Sequence, residues 1–264
     1  MEEIRVFGTG HAIVEKCYNT CFALKEKDEY FLVDAGGGSQ ILTHLKKMNV
    51  PLTSIHHFFI SHCHSDHITG SIWILRMISQ MMMAKRYQGN LHIYGCDEVI
   101  DLLKIMYKGI LGKQFVPLMD DRIIFHYVED GDTYSILGET VTFFDIHSTK
   151  MKQFGFTLKE TKLIFPGDEP YNECCDLYCR NMDILIHEAF CLYQDREIYH
   201  PYFAHHSTPV EAANTANRLG VKKLILWHSE DQNYENKPAL YAKEAEDVFK
   251  GEVIVPKDDE VIKL

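Results

Sequence analysis

The sequence has 264 residues, of which 46% are hydrophobic and 25% are charged, so it can bury the sizeable core of a globular protein. Its formal net charge of −11 argues against a broad nucleic-acid surface, because affinity for phosphates comes largely from Lys and Arg. There is no apolar run of about 18 residues that could form a transmembrane helix, and the acidic N-terminus does not resemble a signal peptide. We therefore expect a cytoplasmic protein without a membrane partner.

The eight cysteines are expected to be free thiols, because the chain is long and carries no export signal. Cys174, Cys175 and Cys179 lie close together in the sequence, but no Cys-x-x-Cys pair accompanies them. Structural zinc sites commonly use such pairs. The sequence therefore does not predict a structural zinc at this cluster.

The first half of the chain alternates strand-like and helical segments. A glycine-rich turn, Gly36 to Gly38, lacks the lysine of a phosphate-binding loop, and we interpret it as a tight turn under a candidate metal site. An apolar pattern with helical spacing predicts a helix from near His67 into the mid-80s. The other predicted elements are strands over Ile4 to Phe7, Thr20 to Leu24, Tyr30 to Val33, Ile55 to Ile60 and Leu91 to Tyr94, and helices over Ser39 to Met48 and Glu98 to Tyr107.

The second half is first rich in strands and then returns to strand–helix alternation. Thr208, Pro209 and Glu211 form a strong helix start, with a capping Thr, a first-turn Pro and a Glu three residues after the cap, and Gly220 is a normal stop. The other predicted elements are strands over Ile123 to Phe125, Tyr134 to Ile136, Val141 to Phe144, Asp183 to Ile186, Val221 to Trp227, Glu252 to Val255 and Glu260 to Lys263, a hairpin of Phe154 to Leu158 with Lys162 to Phe165, and a helix over Ala239 to Phe249.

This order of elements predicts an α/β (α+β) fold. Two sheets are expected to pack face to face with helices outside, each half of the chain supplying one sheet. No linker, low-complexity segment or short repeat interrupts the sequence. We therefore expect one domain over residues 1–264.

The most informative stretch is the loop after the predicted strand Ile55 to Ile60. It carries His62, His64, Asp66 and His67 within six positions. The first two are two residues apart, so in an extended segment their side chains point the same way. Neutral imidazole and carboxylate are the usual ligands of zinc, and a catalytic zinc keeps one position open for water. The loop therefore predicts a metal site.

Further chemistry-bearing residues close other predicted strands. His147, Asp168, Glu188 and His228 each follow a buried strand-like segment. A strand that ends in such a residue presents the side chain at a sheet edge, where loops gather. Alone, each of them is better explained as a structural residue, but jointly they can complete the site predicted for the loop.

The pattern His-x-His-x-Asp-His resembles the signature of the metallo-β-lactamase superfamily, which implies a four-layer αββα sandwich with a metal centre at one rim. The similarity narrows to ribonuclease Z over nearly the whole chain. Its motifs are Phe7 to Gly10, Asn19, Asp34 to Gln40, Ile60 to His62, Gly167-Asp168, Ile186 to Ala189, His206 to Thr208 and Val221 to Leu226. The pairing of Glu188 with the His206 motif is the specific part, since lactamases and glyoxalases do not usually carry it.

The resemblance implies two bound zinc ions, although manganese or iron also accept such ligands. The implied ligands are His62, His64 and His147 for the first metal and Asp66, His67 and His228 for the second, with Asp168 as a bridge. Asp66, Glu188 and His206 are the implied catalytic residues. In such enzymes the Glu orients the His, which handles a proton during phosphodiester cleavage. A homodimer is usual for the family.

Two departures put a tRNA substrate in doubt. Residues 148–167 leave no room for the long tRNA-binding arm of ribonuclease Z, and an acidic run, Ser229 to Asp231, replaces the expected aromatic and basic residues. We therefore expect a phosphodiesterase acting on a small phosphodiester or on RNA. The alternatives are a tRNA 3′-processing endoribonuclease proper, a hydrolase of a carboxylic ester, thioester or lactam, and a non-catalytic protein on the same fold.

Overall fold

A computed structural model describes residues 1–264 as two compact units. The first unit comprises residues 1–8, 18–128 and 259–264, and the second comprises residues 9–17 and 129–258. Each unit contains one seven-stranded mixed sheet. None of the helices combines the length and the apolar character needed to cross a membrane.

The strands are short and mostly buried, as apolar segments bounded by turns predict. In chain order they are β1 (Glu3–Gly8), β2 (Cys21–Glu26), β3 (Glu29–Val33), β4 (Ile55–Phe59), β5 (Leu91–Gly95), β6 (Ile123–Tyr127), β7 (Thr133–Ile136), β8 (Glu139–Asp145), β9 (Phe154–Leu158), β10 (Leu163–Phe165), β11 (Ile184–Glu188), β12 (Lys223–Trp227), β13 (Glu252–Ile254) and β14 (Glu260–Lys263). Every predicted strand is present, with ends shifted by at most two residues.

The helices lie in the connections between these strands. They are α1 (Ile41–Lys47), α2 (Ser65–Ile68), α3 (Ser71–Met83), α4 (Asp97–Ile110), α5 (Asp176–Cys179), α6 (Arg196–Tyr199), α7 (Pro209–Leu219) and α8 (Lys237–Val248). Single turns of 3₁₀ helix occur at Leu52–Ser54, Glu173–Cys175 and Tyr193–Asp195, and a longer one spans Lys113–Leu118.

The sheet of the first unit has the strand order β14-β1-β2-β3-β4-β5-β6. Strands β3 to β6 run parallel, so their carboxyl ends meet at one edge. Asp34 directly follows β3, and the histidine-rich loop follows β4, which brings both to that edge. The expectation that each half of the chain supplies one sheet is wrong for the last strand, because β14 pairs with β1 rather than with its sequence neighbours.

The sheet of the second unit has the order β13-β12-β11-β10-β9-β8-β7. Strands β9 and β10 form the predicted hairpin, and β10 to β13 run parallel. The parallel strands end near Asp168, at Glu188 and next to His228, and thereby gather these residues at one edge. The second unit also contains a buried hydrophobic core, which includes Phe144, Leu226 and several alanines of α7.

One predicted helix is divided in the structure. The sequence predicts a continuous helix from near His67, but α2 ends at Ile68 and α3 begins at Ser71. At the break the backbone nitrogen of Gly70 donates to the carbonyl oxygen of Gly36 at 2.8 Å instead of to the preceding helical turn. A Cβ on Gly70 would lie 2.0 Å from the carbonyl oxygen of Ala35. The chain at the break passes so close to the turn after β3 that only glycine fits.

Candidate active site

The first unit brings together all four donors of the histidine-rich loop. Nε2 of His62 lies 2.8 Å from Nδ1 of His64, and Nε2 of His67 lies 3.2 Å from a carboxylate oxygen of Asp66. The rings of His62 and His67 are 4.2 Å apart between centroids. The extended backbone before α2 turns the first two imidazoles to the same side, as their spacing predicts, and the turn into α2 brings in the other two donors.

The carboxylate of Asp34 supports this donor set through contacts with Ser61 and His67. Asp34 is buried, and its carboxylate accepts hydrogen bonds from the backbone nitrogen and the hydroxyl of Ser61, both at 2.8 Å. The same carboxylate lies 2.8 Å from Nδ1 of His67. A carboxylate on one ring nitrogen fixes the tautomer and leaves the lone pair on the other, which is the usual outer-shell arrangement of metal-binding histidines.

The second unit brings Asp168 and His228 together. Nε2 of His228 lies 3.3 Å from a carboxylate oxygen of Asp168, and both side chains are buried. His147 has a different setting. It is exposed on the loop after β8, its backbone nitrogen donates to Asp145, and its ring is not among the donors that the structure brings together. Its assignment as a ligand therefore stays a prediction.

Glu188 and His206 form a buried pair beside these residues. Glu188 is the last residue of β11 rather than the first after it, and Oε1 accepts hydrogen bonds from the backbone nitrogen (2.6 Å) and the hydroxyl (2.5 Å) of Ser207. Oε2 lies 3.5 Å from Nδ1 of His206. Glu188 is paired across the sheet with Trp227, and this register brings His228 next to the pair, with its ring 5.3 Å from that of His206.

The environment of His206 favours the protonated imidazole. Burial alone would lower its pKa, but the interaction with Glu188 and a smaller contribution from Asp168 raise the pKa above the ordinary value. The ring of Phe190 stacks on the imidazole with centroids 5.2 Å apart, which restricts its rotation. The imidazole of His206 is thus held at one edge by Glu188 and on one face by Phe190.

Two residues of the site and the predicted ligand His147 have left-handed backbone. The φ angles of Asp34, His147 and His228 are 55°, 55° and 56°. Such conformations cost on the order of 1–3 kcal/mol each and tend to persist at functional sites, where the surrounding structure fixes them. Asp and His tolerate this region better than most residues. The strand ends therefore turn sharply, and the side chains project at the sheet edges.

The donor distances within each unit fit divalent metal ions. A zinc–nitrogen bond measures about 2.0–2.1 Å, so two ligands at the corners of a tetrahedron lie about 3.3 Å apart. The donor pairs His62–His64, Asp66–His67 and Asp168–His228 are separated by 2.8, 3.2 and 3.3 Å. Imidazole and carboxylate donors at this spacing can share an ion without a change of fold.

Several supporting residues were not identified from the sequence. Asp34 lies in one of the motifs that resemble ribonuclease Z, but the sequence predicts no role for it, and its position at the end of a buried strand is the usable signal. Ser61, Ser207 and Phe190 adjoin predicted site residues and carry no ligand-type group. Gln153, which donates to Asp168, lies 15 residues away from it and gave no signal.

Comparison with known proteins places the chain in one family, whose match covers most of its length. The family described as "Anti-Pycsar protein Apyc1" matches residues 2–244. Ribonuclease Z of Bacteroides fragilis is 24% identical in an alignment that is 305 positions long with its gaps and covers 97% of each protein. The metallo-β-lactamase-fold protein YhfI of Bacillus subtilis has a TM-score of 0.79 at 21% identity, covering 99% of both chains. The short form of human tRNase Z has a TM-score of 0.73 at 23% identity.

These similarities confirm the predicted fold class and the predicted resemblance. The chain has the metallo-β-lactamase fold, is similar to ribonuclease Z over nearly its full length, and is a metal-dependent hydrolase at the level of the superfamily. The donor sets described above agree with divalent-metal binding.

Proposed function

The chain belongs to the anti-Pycsar Apyc1 family, and we propose that it is a dinuclear-metal hydrolase of ribonuclease Z type that cleaves a phosphodiester bond. The observation that carries this proposal is the pairing of Glu188 with His206 next to Asp168 and His228. A carboxylate–imidazole pair beside metal-type donors suits a reaction in which a proton must reach a leaving oxygen. Hydrolysis of a lactam or thioester does not explain why such a pair is present.

The proposed ligands are those that the resemblance implies. They are His62, His64 and His147 for one metal, Asp66, His67 and His228 for the other, and Asp168 as the bridge. Zinc is the proposed metal. When bound, two such ions lower the pKa of a water molecule and neutralise charge on a phosphate group.

His206 is the proposed general acid. As an oxygen from water forms its bond to phosphorus, the bond from phosphorus to the leaving oxygen breaks, and that oxygen needs a proton to depart as an alcohol. Glu188 faces Nδ1 of the imidazole, so Nε2 is the nitrogen that can deliver the proton. Ser207 keeps the carboxylate in this orientation through two hydrogen bonds to Oε1.

The proposed substrate is a small phosphodiester. The net charge of −11 disfavours a polyanion that needs many phosphate contacts. The segment of residues 148–167 contains a short loop and the hairpin of β9 and β10, and no long arm extends from it. The similarity to ribonuclease Z keeps precursor tRNA as the second candidate substrate.

The test compares three substrates under one set of conditions. The zinc-loaded protein is given a small dialkyl or nucleoside phosphodiester, a precursor tRNA and a carboxylic thioester, each at low and at moderate salt. We expect turnover of the small phosphodiester with little salt dependence. Cleavage of precursor tRNA that falls steeply with salt would favour the second candidate, and turnover of the thioester alone would overturn the proposed reaction class.

A further inference from the structure

Gln153 is a buried amide in the second unit that contacts Asp168 with its side chain and the segment before His147 with its backbone. It is 1% exposed and directly precedes β9. Its backbone carbonyl accepts a hydrogen bond of 3.1 Å from the nitrogen of Ile146, the neighbour of His147. Its side-chain amide donates a hydrogen bond of 2.5 Å to Oδ1 of Asp168. One residue thus links the chain on either side of the β9–β10 hairpin.

Gly167 makes this contact possible. It lies between β10 and Asp168, and its φ is +80°. A Cβ at this position would lie 2.5 Å from Nε2 of Gln153, which is closer than real Cβ atoms approach another heavy atom. Any other residue would therefore strain the backbone and push the amide away from Asp168. The glycine of the Gly167-Asp168 motif has a physical reason that the motif alone does not reveal.

The contact determines how the Asp168 carboxylate is presented. Oδ1 accepts from Gln153, while Oδ2 lies 3.3 Å from Nε2 of His228. A partial rotation of the carboxylate about its Cβ–Cγ bond would break the amide hydrogen bond, which is buried and therefore costly to lose. A half-turn only exchanges two equivalent oxygens and restores the same contacts. The carboxylate is thus held with Oδ2 toward the metal-type donor.

We propose that Gln153 is a positioning residue for the metal centre, which retains Oδ1 of Asp168 and leaves Oδ2 as the oxygen that binds metal. This inference rests on the proposed dinuclear function and adds a specific binding mode to it. Outer-shell partners of this kind orient the ligand before the ion arrives, and their loss typically weakens metal affinity by about 10–100-fold. A Gln that served only to fill the core would affect folding without affecting affinity.

The test measures zinc affinity, not activity. Gln153→Met keeps the length of the side chain and removes the donor, and Gln80→Met is the matched control, because Gln80 is exposed on α3. Metal-free forms of the parent and both variants compete for zinc with a chromophoric chelator, after circular dichroism has shown that each is folded. We expect zinc affinity about 10–100-fold lower in Gln153→Met and unchanged in Gln80→Met. Equal affinities in the parent and Gln153→Met would overturn the inference.

A second measurement needs no variant of Gln153 to fold. In the zinc-loaded parent, nuclear magnetic resonance should show the Gln153 side-chain amide protons exchanging slowly with solvent, as expected of a retained hydrogen bond. Rapid exchange on zinc binding would mean that the metal takes both oxygens of Asp168, and would overturn the binding mode. A parent chain that binds no zinc would instead overturn the proposed function, and this inference with it.

Discussion

Replacing Glu188 with glutamine removes the charge beside His206 while keeping the size of the side chain. In the structure Oε1 accepts two hydrogen bonds from Ser207, and an amide oxygen can accept both. The other oxygen lies 3.5 Å from Nδ1 of His206, where an amide nitrogen would take its place. The substitution therefore separates the electrostatic contribution of Glu188 from its packing.

The expected magnitude follows from this distance. Two unit charges 3.5 Å apart interact by about 5 kcal/mol at an effective dielectric constant of about 20. Since each 1.36 kcal/mol, roughly, changes a rate tenfold, complete loss of this interaction would slow the reaction by between about 10³ and 10⁴. General acid catalysis usually contributes about 10²–10⁴-fold. We expect kcat to fall by about 10³ for a phosphodiester whose leaving group is an alcohol.

The assay compares leaving groups. A nitrophenolate departs without a proton, so the loss with bis(4-nitrophenyl) phosphate should be much smaller than the loss with an alkyl or nucleoside diester. Glu139→Gln is the control, because Glu139 is also buried and accepts from two backbone nitrogens, those of Glu160 and Thr161, at 3.1 Å. Equal losses on both substrates would refute His206 as the general acid. Loss of zinc together with activity would mean that Glu188 serves the metals instead.

Three further predictions concern stability. Zinc should raise the unfolding temperature and a chelator should reverse this, since a ligand at about 100 times its Kd stabilises the folded state by about 2.7 kcal/mol; no shift in differential scanning fluorimetry would contradict metal binding. Thr208→Ala should lower the free energy of unfolding by about 1 kcal/mol in urea titration, because Thr208 and Glu211 form a capping box at the start of α7; an unchanged midpoint would refute it. Burial, then the neighbouring imidazoles, lower the pKa of His57 to about 4 from 6.5, so the unfolded chain takes up the extra proton and stability should fall as pH drops through this window. In metal-free protein His57→Phe should reduce that loss, and an identical pH profile would exclude His57 as its source.

The sequence predicted the elements of the fold better than their pairing. Strand and helix patterns depend on neighbouring residues, and β12, α7 and the β9–β10 hairpin were placed within two residues. The pairing of β14 with β1 joins residues as far apart as Glu3 and Lys263, which no local pattern encodes. The break between α2 and α3 depends on the hydrogen bond from Gly70 to Gly36, which is also a contact through space.

In the candidate site, too, the residues that are neighbours in the sequence were predicted and those that meet only in space were not. Four residues with ligand-type groups lie within one short loop, and their spacing was sufficient to predict a metal site. They are His62, His64, Asp66 and His67. Asp34, which follows β3, contacts His67, and Gln153, which precedes β9, contacts Asp168. Carboxylate and amide side chains have many ordinary roles, so neither contact could be predicted. Residues that only orient a ligand are recognisable once their partner is known in space.

The proposed chemistry is tested most directly by turnover of a phosphodiester in protein of known zinc content. Purified protein is loaded with zinc, the metal per chain is counted, and hydrolysis of bis(4-nitrophenyl) phosphate is followed before and after chelation. We predict two zinc ions per chain and turnover that is lost with the chelator and restored by zinc. Two zinc ions per chain without any phosphodiester turnover would contradict the account.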